Sequence, residues 1–156
     1  VTAYPANYEQ VISIGAATDM GAETPESAGG KADYLFSGHD VAVETSIFGA
    51  DKCPQVISGT SVATAIAAGV ASLILACGRL SSYLKSSQPA APKENLGKTG
   101  RSLQKDNIER VFKRMTVEST GNSFVRPWTV FGEESLGEAI FVLRWIHKEY
   151  QDLDWM

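Results

Sequence analysis

Residues 11–16, Val-Ile-Ser-Ile-Gly-Ala, form a β-branched run closed by small residues, the pattern of a buried strand. Three shorter apolar segments, residues 32–36, 41–44 and 54–58, predict further strands, the first two parted by a turn at Ser37-Gly38. Residues 24–31 hold Pro25, Ser27, Gly29 and Gly30 and read as a loop. From Ser61 the pattern changes. Residues 62–76 are rich in alanine and carry no charge on any face, which predicts a helix buried all round. Gly78 is placed to stop it. Thr64, Gly69 and Ser72 interrupt this run, so no stretch is continuously apolar for the roughly 20 residues of a membrane span.

Beyond it, residues 81–100 are poor in apolar side chains and hold Ser86, Ser87, Pro89, Pro92, Gly97 and Gly100, the composition of an exposed loop or insertion. A second helix is expected from Asp106, with Glu109 three residues on as its capping partner. Ile108, Val111, Phe112 and Met115 then give one apolar stripe. Residues 119–126 read as a turn. A third helix is expected from Glu133 or Glu134 to about Tyr150, acidic at its start and with Lys148 in its last turn. Phe141 and Trp145, four apart on it, suit a core or interface. Strands followed by a buried helix and then surface helices indicate an α/β protein with a mainly parallel sheet.

With 156 residues, 44% hydrophobic and 21% charged, the chain is long enough for one globular domain. A net charge of −4 argues against nucleic acid as the partner. Val1 is not followed by a basic flank and an apolar core, so the chain carries no signal peptide and its compartment stays open. Cys53 and Cys77 show no metal-ligand spacing. Packed layers lie roughly 10 Å apart and a disulfide needs Cα atoms within about 7 Å, which favours two free thiols over a bridge. There is no N-x-[ST] sequon.

The candidate chemistry lies in residues 59–69, GTSVATAIAAG, directly after the strand at 54–58. A serine nucleophile must project from a turn where its own N–H can help bind an oxyanion. A glycine before it lets a substrate backbone approach, and a helix start places the positive end of the dipole there. On helix grammar alone Ser61 reads as a capping or turn serine.

The extended segment resembles the nucleophile motif of the subtilisin-like serine peptidases, usually GTSMATPHVAG. Two upstream matches support the likeness. Tyr4-Pro5-Ala6 followed by residues 11–16 is similar to the family's "YPA…VI.VGA" region. Residues 27–41, through Ala32 to Gly38, are similar to its "S..G..VDV.APG" segment. The likeness covers roughly residues 3–77. It implies a subtilisin-like three-layer α/β fold, here as the C-terminal portion of one catalytic domain spanning 1–156. It implies Ser61 as the catalytic nucleophile of a serine endopeptidase acting on a protein or peptide substrate. Ala3, Tyr4, Gly59 and Thr60 would border the substrate pocket. No organic cofactor is implied. Calcium is common in the family, but no ligand cluster identifies a site.

Val62, Ala65, Ile66 and Ser37 depart from the family's Met, Pro, His and Pro without removing chemistry. The family's aspartate-strand motif and its HGT-type histidine motif do not occur in these residues. By resemblance both, with the oxyanion-hole asparagine, would come from an upstream part of the same domain, preceding Val1. His39-Asp40 is a tempting base-acid pair but stands outside the family's histidine context, and His147 suits packing or a surface. Asp19, Asp33, Asp40 and Asp51 read as turn and surface residues. The rival expectation is a subtilase-like module without activity, serving binding or regulation in a larger protein.

Overall fold

A computed structural model of the chain describes residues 6, 8–25, 27, 30–43, 55–86, 102–119 and 122–131. Four strands come before the serine segment: β1 Ile14–Ala17, β2 Tyr34–Ser37, β3 Val41–Val43 and β4 Gln55–Ile57. The helix α1 Thr60–Ser86 follows, then α2 Ser102–Arg114, β5 Thr116–Ser119, β6 Asn122–Val125 and the short α3 Trp128–Phe131. The four predicted strands all form, with β1 and β2 starting three and two residues later than predicted and each ending one residue later, so that Ser37 closes β2 rather than opening a turn; β4 ends one residue earlier, and residues 44 and 54 lie outside the described residues. This is a mixed α/β fold with a mainly parallel sheet order through its centre.

The main sheet runs β1-β2-β6-β5. β1 and β2 are parallel, as are β2 and β6, and β5 and β6 form an antiparallel pair. The start of the β1–β2 pair is tied by side chains. Asp33 Oδ2 accepts from Ser13 N at 2.8 Å, and Ser13 Oγ accepts from Asp33 N at 2.9 Å. Asp33 is thus a structural tie rather than a plain surface residue. After β1, the buried Ser27 hydroxyl accepts from Ala16 N at 2.5 Å, which binds the following loop onto the strand.

The described chain falls into two compact units. One holds residues 1–68 and 116–125, the other 69–115 and 126–156. In the first, Ala17, Leu35 and Phe124 form a buried cluster with Ala32 packed against it. Parallel neighbours bring these three positions onto one face: Leu35 stands in register with Phe124 across β2 and β6. In the second, α2 buries Asn107, Val111 and Phe112, and Met115 at its end is buried too. Met115 N is shared between the Val111 and Phe112 carbonyls, which closes the helix.

Several expectations are corrected. α1 passes Gly78 and runs to Ser86, because a buried glycine inside a long apolar helix packs rather than caps. Of the segment expected as a loop, residues 81–86 are therefore helical, and 87–100 lie outside the described residues. α1 is not buried all round. Ala63, Ala67, Ile74 and Gly78 are buried, whereas Leu73 and Leu80 are 43% and 49% exposed. Absence of charge tells what surroundings a helix tolerates, not how much of it is covered.

The stretch Thr60–Leu80 is also long and apolar enough to cross a membrane. Thr, Gly and Ser are uncharged and dilute an apolar run without ending it. The same composition suits the core helix of a globular domain.

α2 starts at Ser102, a turn before Asp106, since Leu103, Gln104 and Lys105 are all good helix formers. Glu109 does not act as a capping partner there; it pairs with Lys105 at 3.3 Å, one turn back. Ile108 is only partly covered, and Asn107 takes the buried place beside Val111. Residues 119–126 are not merely a turn, because β6 occupies 122–125 and pairs with β5. The third helix expected at 133–150 lies outside the described residues, with Phe141, Trp145 and His147.

Candidate functional site

The serine segment is built from the end of β4 upward. The chain leaves the strand at Ile57 and turns at Gly59, whose φ of +141° is a conformation that L side chains rarely adopt. Nothing crowds that position: a Cβ there would meet Ser61 Oγ at an ordinary 3.5 Å. The backbone angle, not space, is what asks for glycine.

Gly59 O then accepts from Val62 N at 3.1 Å and Ala63 N at 3.3 Å, so Gly59 holds the N-cap place of α1. Thr60 opens the helix and Ser61 is its second residue, exposed. The reading of Ser61 as a cap is therefore not the one realised. Its N–H falls among the first donors of the helix, which have no intrahelical acceptor. Those donors, at the positive end of a 27-residue helix, suit a developing negative charge.

The turn before α1 is held from beneath by Gly38. Gly38 N donates to Ala17 O at 3.0 Å, and Gly59 N donates to Gly38 O at 2.7 Å. Gly38 thus joins the end of β1 to the serine turn. A Cβ on Gly38 would stand 2.7 Å from Ala16 Cβ, 2.9 Å from Ala63 Cβ and 3.0 Å from Gly59 O. Local sequence does not reveal this close approach, because Ser37-Gly38 has only the composition of a turn. It depends on residues 16, 38, 59 and 63 meeting in space.

The next residues of that turn are His39 and Asp40, both exposed, with His39 Nε2 3.5 Å from Asp40 Oδ2. Asp40 has a positive φ of +53° and is bonded to Ser58, so it too is more than a surface acid. The structure brings together Gly38, Gly59, Thr60 and Ser61. Ala3, Tyr4, Asp51, Cys53 and His147 lie outside the described residues. Cys77, on α1, carries a free thiol whose pKa is pushed up by burial. Among the described residues no three His, Cys, Asp or Glu side chains gather as a metal-holding group.

The subtilase family model matches residues 1–123, which takes in β1 to β4, the serine turn and all of α1. The chain belongs to the subtilase family. No curated protein and no solved structure gives a significant match. Membership makes this subtilase a chain of a serine peptidase family, and the α/β architecture with its mainly parallel sheet agrees with it. The family match extends well past Cys77, where the resemblance legible in motifs stops, and reaches into β6.

Proposed function

We propose that this subtilase is a serine endopeptidase in which Ser61 is the nucleophile. The observation that carries the reading is the placement of Ser61. It stands exposed in the first turn of a long helix, directly after a glycine turn with positive φ, inside the family match. In this reading Ser61 Oγ attacks the peptide carbonyl and passes its proton to a histidine. The Oγ–C bond forms, and the N–H of Ser61 helps hold the tetrahedral oxyanion. The C–N bond then breaks, the amine takes the proton from the histidine, and water hydrolyses the acyl-serine. Gly59 and Thr60, with Ala3 and Tyr4, border the pocket for the substrate side chain. The histidine, its aspartate and the oxyanion-hole asparagine are supplied by sequence outside these 156 residues, upstream in the same domain.

The second reading, an inactive binding or regulatory module, rests on one observation: neither the HGT-type nor the aspartate-strand motif occurs within residues 1–156. A fluorophosphonate probe, which phosphonylates only activated serines, separates the two. Applied to the protein extended to its natural start, it labels under the peptidase reading and fails under the module reading.

A further inference from the structure

β3 and β4 pair in a regular antiparallel register: Val43 with Gln55, Ala42 with Val56, Val41 with Ile57. Continued, that register would set Asp40 against Ser58 and His39 against Gly59. The backbone instead slips by one residue, since Gly59 N donates to Gly38 O at 2.7 Å. At the slip Asp40 takes its left-handed φ of +53°. Its N–H donates to Ser58 Oγ at 2.8 Å, and that hydroxyl lies 3.4 Å from Asp40 Oδ1. A side chain thus ties the two strands at the slip. Bulge-like slips re-aim the strand that contains them. Here three residue steps from Val41 to Gly38 face two from Ile57 to Gly59, so the extra residue lies on the strand of Asp40, and the bond across the slip ties that bent strand to Ser58, three residues before Ser61.

We propose that Ser58 and Asp40 form a positioning latch, which fixes the direction in which the chain leaves β4 and hence the placement of Ser61. The latch rests on the reading of Ser61 as nucleophile, but neither residue is itself catalytic. Asp is among the few residues other than glycine that accept a left-handed φ, because its short polar side chain bonds locally. Ser58 supplies the acceptor that keeps Asp40 there. Both groups are exposed, so removing the bond barely changes the overall stability. It changes the orientation of a turn, and reaction rates respond to orientation far more steeply than folding does.

The test is the limiting rate of fluorophosphonate labelling in the intact protein, separated from the probe's apparent affinity by varying its concentration. Ser58→Ala lowers the limiting rate by about three- to tenfold, the effect of one lost hydrogen bond. Probe affinity and melting temperature stay close to the parent's. Ser58→Thr, which keeps the hydroxyl, restores the rate. Asp40→Gly, which keeps the N–H and the positive φ, costs less than about twofold.

A Ser58→Ala protein labelling at the parent rate overturns the latch. So does a loss that Ser58→Thr fails to restore. If the parent does not label at all, the peptidase reading has failed, and hydrogen exchange at Asp40 N–H judges the latch by itself. Protection in the parent that vanishes in Ser58→Ala upholds it, and equal exchange in the two overturns it.

Discussion

Gly38→Ala is the sharpest perturbation of the serine turn that leaves every proposed functional side chain in place. The new methyl group would stand 2.7 Å from Ala16 Cβ, 2.9 Å from Ala63 Cβ and 3.0 Å from Gly59 O. Carbon atoms prefer separations of about 3.5–4.0 Å, so neighbours must move by up to about 1 Å. None can swing away as the tip of a long side chain would. Ala16 and Ala63 carry their Cβ rigidly on β1 and α1, and Gly59 O belongs to the backbone that caps α1. Overpacking of this kind costs about 1–3 kcal/mol, and the need to shift backbone puts this case toward the upper end. The loss of chain freedom in the unfolded state returns about 0.4–1 kcal/mol. The net expectation is a destabilisation of about 1–2 kcal/mol, read from the denaturant midpoint of the intact protein.

The same shift displaces the backbone on which Ser61 rides. A misplacement near 1 Å lowers reactivity by about a hundredfold, so fluorophosphonate labelling should slow by far more than the stability loss explains. Ala16→Gly removes the tightest of the three contacts and should recover part of both effects when combined with Gly38→Ala. A Gly38→Ala protein with unchanged midpoint and unchanged labelling would refute the claim that Gly38 is the close-packed joint under the serine turn.

Gly59→Ala should destabilise by about 1–3 kcal/mol through backbone strain alone, since φ is +141° while the space around it is open; a denaturant midpoint equal to the parent's would contradict that cause. Burial raises the pKa of Cys77, so its folded thiol stays protonated at pH values where an unfolded one ionises. Alkylation of Cys77 should therefore be slower in the folded than in the unfolded chain near the ordinary thiol pKa. The linked stability is whole below that pKa and is lost as pH rises through the higher folded value.

The strands before the serine were legible because β-branched runs at 11–16 and 54–58 have few other structures to adopt. The serine turn was legible because glycine, a small polar residue and an alanine-rich run follow one another without a break. Local pattern stopped being informative where long-range partners decide. Residues 122–125 look like part of a turn until Leu35 supplies the neighbour that makes Phe124 a central strand position. Asn107 gives no apolar signal, yet one turn before Val111 it falls on the buried face of α2. Gly78 has the identity of a helix stop, and only burial makes it a packing residue. Gly38 and Asp40 read as turn residues from their identities, which is correct but incomplete. What each does is set by atoms of residues 16, 58, 59 and 63, some of them more than 20 positions away.

The central claim is that Ser61 is an activated nucleophile. Its most direct test is phosphonylation of the protein extended to its natural start, followed by mass-spectrometric mapping of the modified peptide, beside the Ser61→Ala variant. The account predicts one modified peptide containing Ser61 and no modification in the variant. A folded parent that stays unmodified, or a label that persists in Ser61→Ala, would contradict it.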